Sequence, residues 1–138
     1  MKKQILKTAT EYYKEAYRYY RNAKGRLKES SIEYDRYQDL KPVREACGTC
    51  YLAVLLALDG YFLERGVQAD KLPTSTEGYQ ELLRKHAVHN GKIKNAYYNV
   101  YENLHILGYY RGAGEIKGVK AGFENAKRII ETLSKKKI

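Results

Sequence analysis

The sequence predicts an all-α fold, an antiparallel four-helix bundle with one additional short helix, in a single domain spanning residues 1–138. Three observations predict it. Apolar residues recur at helical spacing over long stretches. Cap and stop residues fall between those stretches. No segment shows the sustained two-residue alternation of a strand. A chain of 138 residues is long enough to bury a real core without disulfides.

The first helix is expected over Lys2 to Lys28. Leu6, Ala9, Tyr13, Ala16, Tyr20, Ala23 and Leu27 step by three and four, which draws one apolar seam with Lys, Arg and Glu around it. Gly25 costs some stability without ending the pattern. Ser30 and Ser31 then break it, and Ser30-x-x-Glu33 could restart a turn as a capping box. Pro42 suits the first residue of a second helix. From Val43 to Leu63 that helix is apolar nearly all round, so it belongs in the middle of the bundle or at a dimer interface. Gly66 is its natural stop.

Thr74-x-x-Glu77 reads as the capping box of a short helix through Leu82 and Leu83, and Asn90-Gly91 as a turn or cap. A fourth helix follows, with Ile93, Tyr97, Val100, Leu104 and Leu107 on one face. Gly108, Gly112, Gly114 and Gly118 punctuate a connection to the last helix. That helix carries Val119, Phe123, Ala126, Ile130 and Leu133, and is expected to fray into Lys135-Lys136-Lys137. The core should include Leu6, Tyr13, Tyr20, Val54, Leu58, Val100, Leu104, Phe123 and Ile130.

The formal charge of +10 is uneven. Residues 1–40 hold 10 basic and 6 acidic side chains, residues 41–75 hold 4 of each, residues 76–111 hold 5 and 3, and residues 112–138 hold 7 and 3. The excess therefore sits on the outer elements, where it favours polyanionic partners as well as solubility. The longest apolar run, Leu52 to Leu58, is too short to span a bilayer, and no h-region follows the basic N-terminus. A cytoplasmic protein without membrane contact is expected.

Cys47-Gly48-Thr49-Cys50 lies inside an apolar helix with no preceding strand, so two packed cysteines are expected rather than a redox pair. A zinc set with His86 and His89 would have no usual finger spacing. The glycines of residues 112–118 lack the strand that a phosphate loop needs. No metal and no cofactor is expected. Arg84-Lys85-His86-Ala87-Val88-His89 is the one segment that combines groups titrating near neutrality with strong cations. On an unbroken helix Arg84 and His89 would diverge by about 140°, so a shared phosphate needs the helix to end between them. His86 and His89 would share a face. Tyr109-Tyr110-Arg111 also combines aromatics with a cation suited to bases and phosphates.

The order of elements resembles the HEPN superfamily of small helical-bundle proteins. The likeness lies in a long first helix, an apolar second helix ending Leu58-Asp59-x-x-Phe62-Leu63-x-x-Gly66, a short helix ending Leu82-Leu83, and two more helices. Small basic four-helix proteins encoded within ribosomal RNA intervening sequences have a similar outline. The HEPN superfamily includes dimeric ribonucleases with an Arg-x(4–6)-His motif and non-catalytic members that pair with nucleotidyltransferases. Arg84 and His89 match that motif, with Lys85 where the family usually places Asn, Asp or His. The expectation is a homodimer that binds RNA, a nucleotide or a partner protein without catalysis. The alternatives are a metal-independent endoribonuclease using Arg84 and His89, or a purely structural homo-oligomer. Lys85, His86 and Arg111 are further candidates for nucleic-acid contact.

Overall fold

The computed structural model describes residue 6 and residues 8–138. Their order is α1 (Ala9–Leu27), β1 (Ile32–Glu33), β2 (Arg36–Tyr37), α2 (Leu40–Glu64), a 3-10 turn (Ala69–Lys71), α3 (Thr76–His86), α4 (Gly91–Val100), a π-helical segment (Tyr101–Tyr110) continuous with α4, and α5 (Ile116–Ser134). The expected all-α bundle is present, with one small hairpin added.

α1 starts later than its periodicity predicts. The Thr8 hydroxyl accepts from the Glu11 amide and sets the cap. The earlier part of the expected helix lies largely outside the described residues, and Leu6 is not helical. The buried line of α1 is Tyr12, Ala16, Tyr20 and Ala23. Tyr12 therefore takes the core position that the three-four stepping assigned to Tyr13. Tyr13 and Leu6, both expected in the core, are only partly buried. Tyr13 packs across Gly60 of α2, where an added Cβ would lie 2.8 Å from its ring, and its hydroxyl donates to Glu64. The other seven expected core residues are buried.

Between α1 and α2 the chain does not restart a helix. Ile32 pairs with Tyr37 and Glu33 with Arg36, closing a hairpin through Tyr34 and Asp35 at φ 53° and 59°. Positive φ at both positions is the primed turn that suits strand twist. Ser30 serves the hairpin rather than a capping box, its hydroxyl accepting from the Asp39 amide at 3.0 Å.

α2 begins at Leu40, two residues before the expected Pro42, because Asp39 caps it, and it ends at Glu64, two residues before Gly66, whose φ of 94° an L side chain would resist. It has the length and hydropathy of a membrane span, yet 61% of its most apolar window is packed inside the bundle. Its neighbours fix the topology. Tyr13 meets Glu64 while Arg26 meets Glu45, so α1 and α2 run antiparallel. Tyr97 meets Tyr51 while Tyr109 meets Gly48, so α4 and the π segment also run against α2. α5 begins beside the hairpin and ends beside α1. The buried Asp59 accepts from the Tyr79 hydroxyl at 2.9 and 3.2 Å, tying α3 to α2.

α3 is capped by Ser75, one residue after the expected Thr74. Asn90 does cap α4. From Tyr101 the helix widens into π geometry, with more residues per turn than an α-helix. The expected 3.6-residue face therefore holds as far as Leu104, while Leu107 is only half-buried. Gly108 is buried instead, against Cys47. α5 ends at Ser134, so Lys135-Lys136-Lys137 leave the helix as expected, but the tail is tied down. Tyr17 Oη donates to the Lys137 carbonyl at 2.5 Å, and the Ile138 amide to Glu131 at 2.8 Å.

Candidate polyanion interface

α3 ends at His86, and Ala87–His89 form a turn before α4. The break that a shared Arg84–His89 site requires is thus present, and both side chains are exposed. The same break takes His86 and His89 off a common helical face. His86 is half-buried, its ring 6.0 Å from Phe62, while its carbonyl accepts from Tyr61. Burial pushes its pKa down, as do Lys85 and Arg65. Lys85 is exposed. Arg111 is also exposed but sits at the other end of α2, next to Tyr110, whose carbonyl Arg44 holds at 3.1 Å. Arg44 and Tyr61 are 17 residues apart on one helix, about 26 Å. The structure therefore separates Arg111 from the segment around Arg84 and His89. Cys47 is similarly remote from His86, and no group of three or more His, Cys, Asp and Glu that could hold a metal occurs among the described residues. Burial pushes the Cys47 thiol up to about 12 and that of Cys50 up as well, which leaves both unreactive at neutral pH.

Cations converge elsewhere. Lys14, Tyr17, Arg18 and Arg21 lie at i, i+3, i+4 and i+7, so α1 presents them on one face. The non-helical tail after α5 brings Lys135 and Lys136 opposite them. Together with Tyr13, Glu15 and Glu64 they line a groove of about 760 Å³. Arg18 pairs with Glu15 at 2.7 Å. Lys14, Arg21, Lys135 and Lys136 then face the single carboxylate of Glu64, leaving the groove at +3. The Arg21 guanidinium sits 5.6 Å above the Tyr17 ring, which holds it at the groove without neutralising it. The stripe on α1 was readable from sequence as a cationic helix face. Its pairing with Lys135 and Lys136 was not, because it depends on the tail folding back onto Tyr17.

A second cluster surrounds the third histidine. Tyr97, Tyr101, His105 and Tyr109 follow one another at four-residue intervals with rings 6.3, 5.5 and 6.3 Å apart. Tyr51 stacks on His105 at 4.6 Å. Burial pushes the His105 pKa below its ordinary value. Both His86 and His105 thus bind protons less readily folded than unfolded. Folding stability should be full above about pH 6.5 and fall as pH drops through the lower folded values. Urea midpoints at pH 7.5 and 5.5 should show this loss, and a His86→Gln, His105→Gln variant should lose most of that dependence. An unchanged slope in the double variant would refute the assignment.

Three comparisons place the chain among other proteins. Residues 11–135 match a family described as a domain of unknown function, DUF5618. A solved structure, a protein of unknown function from Dyadobacter fermentans, is 35% identical with a TM-score of 0.77 and covers 94% of this chain and 98% of its own. No curated protein matches. With nine-tenths of its length matched to one family, and a solved relative of the same helical layout, the chain belongs to the DUF5618 family.

Proposed function

We propose that this chain is a HEPN-like, cytoplasmic helical bundle that binds RNA through the α1–α5 groove without cleaving it. The observation that supports the reading is the concentration of unpaired cations beside Tyr17 in one concave site. Cations spread evenly over a surface keep a protein soluble. Four of them facing one carboxylate instead attract a chain of phosphates, and the tyrosine rings offer bases an apolar neighbour.

Filter binding to a single-stranded RNA should weaken steeply with salt. Arg21→Glu with Lys135→Glu should lower affinity at least about tenfold at low salt and flatten the log–log salt slope by more than about 1, since each lost contact removes roughly 0.7. Lys71→Glu with Lys92→Glu makes the same change in net charge at exposed positions outside the groove, and should have a much smaller effect. Equal effects of the two pairs would reduce the reading to general charge attraction. Absence of binding at about 50 mM salt would remove it.

One observation favours a second reading, a metal-independent endoribonuclease. α3 ends between Arg84 and His89, so the two exposed side chains are free to approach one phosphate. His89 would take the proton of a ribose 2′-hydroxyl and Arg84 would stabilise charge on the phosphate. This reading requires RNA cleavage that survives EDTA and is abolished by His89→Ala. Binding without cleavage favours the first reading.

A further inference from the structure

We infer that the tail after α5 is a clamp on the α1–α5 groove, docked by Tyr17 and Glu131 as positioning residues and held closed by phosphate bound in the groove. The clamp rests on the RNA-binding role proposed for that groove and adds how the site is assembled. α5 ends at Ser134, and the next residue turns the chain back. Lys135 is left-handed at φ 60°, a conformation that helix ends usually give to glycine. The Ser134 hydroxyl accepts from the Lys136 amide at 3.3 Å and fixes the reversal. Beyond it the tail is held at two points. Tyr17 Oη donates to the Lys137 carbonyl at 2.5 Å, and the Ile138 amide donates to Glu131 at 2.8 Å. Ile138 itself packs, half-buried, against the edge of the core.

Charge makes the docked tail responsive to anions. Docking sets Lys135 and Lys136 across the groove from Lys14 and Arg21, with only Glu64 between them once Glu15 has paired with Arg18. Like charges brought together favour release of the tail. The left-handed lysine favours release as well. Two hydrogen bonds at the surface and one half-buried isoleucine oppose them, so the balance is fine. A phosphate chain between the two cationic walls turns their repulsion into attraction. It therefore binds the docked tail more tightly than the released one. By linkage, docking and phosphate binding then strengthen each other by the same factor. Tyr17 and Glu131 act on this balance through the tail. One is uncharged, and the other carries the wrong sign to attract RNA.

Two variants of the full chain separate docking from charge. Tyr17→Phe removes the hydroxyl but keeps the net charge and the ring beneath Arg21. Glu131→Ala removes the other anchor, at a residue that does not line the groove, and makes the chain more basic. Direct electrostatics then predict tighter RNA binding by Glu131→Ala, and a clamp requires the reverse. Each variant should weaken filter binding of a single-stranded RNA at least about threefold, and flatten the log–log salt slope by roughly 0.7 for each lysine that leaves the site. Tyr19→Phe, which removes a hydroxyl of α1 outside the groove, should bind as wild type does. NMR reads the tail directly. Heteronuclear NOE values at Lys137 and Ile138 should fall in both variants without RNA, and saturating RNA should restore part of the loss in Tyr17→Phe. Unchanged tail order in the variants, no restoration by RNA, or a Glu131→Ala protein that binds as tightly as wild type each overturns the clamp and leaves the RNA-binding reading standing. A wild type that binds no RNA overturns both.

Discussion

Phe62→Ala should lower stability by about 3–5 kcal/mol, read as a fall of about 10 °C or more in Tm. Phe62 is fully buried near the end of α2, with its ring 6.4 Å from Tyr79 and 6.0 Å from His86. With Asp59, which accepts from Tyr79, and Tyr61, which donates to the His86 carbonyl, it packs α3 onto the central helix. Truncation removes the transfer free energy of the ring and leaves a cavity beside Asp59, which Tyr79 bonds. The helices around it are held by other contacts and will collapse only in part, so the cavity cost remains. His86 should respond too. With its apolar neighbour gone, its pKa should return toward the ordinary value, which NMR titration would show. A loss below about 1 kcal/mol would mean that α3 docks by some other contact.

Gly108→Val should cost several kcal/mol, and Gly108→Ala about 1–3. Two effects oppose each other here. Alanine is preferred to glycine within a helix by about 0.8–1.0 kcal/mol. Against that, a Cβ at this position would lie 2.5 Å from Cys47 Sγ, 2.8 Å from Cys47 Cβ and 3.0 Å from the Asn103 carbonyl. Neither the Cβ nor the carbonyl can rotate away, so the clash exceeds the propensity gain. Cys47→Ala removes only the sulfur contact and should restore part of the loss in the double variant. Urea denaturation of the four species gives the coupling directly. A Gly108→Ala protein as stable as wild type would mean that the π segment can move off α2.

Much of the fold was legible in the spacing of apolar residues. The core role of Tyr20, Val54, Leu58, Val100, Leu104, Phe123 and Ile130 follows from periodicity alone, because a helix repeats its facing direction whatever its partner. So does the central place of α2, which has too few polar positions to supply a solvated face. Gly66 and Asn90 announced their caps through backbone freedom and side-chain chemistry. The errors lie where that periodicity was not decisive. Tyr12 and Tyr13 are adjacent rings, and packing against the neighbouring helix divides them: Tyr12 is fully buried while Tyr13 lies across Gly60 at the core's edge. The hairpin has two residues per strand, too few to alternate, and its turn uses Tyr34-Asp35 where an Asn-Gly signature would have been readable.

The candidate sites divide in the same way. The sequence by itself determined that Arg84 and His89 stand at HEPN-motif spacing, that the flanking helices are basic and that the central one is neutral. These are properties of residue order and composition, carried by the chain in any conformation. Tertiary structure alone decided that α3 stops at His86, that Arg111 lies far from that turn, and that Lys135 and Lys136 come opposite Lys14 and Arg21. It also decided the π geometry of Tyr101–Tyr110 and the stacking of His105 against Tyr51 and Tyr109. The physical reason is common to all of these. Each depends on which surface of another helix a side chain meets, and that is set by packing between segments distant in sequence rather than by local propensity.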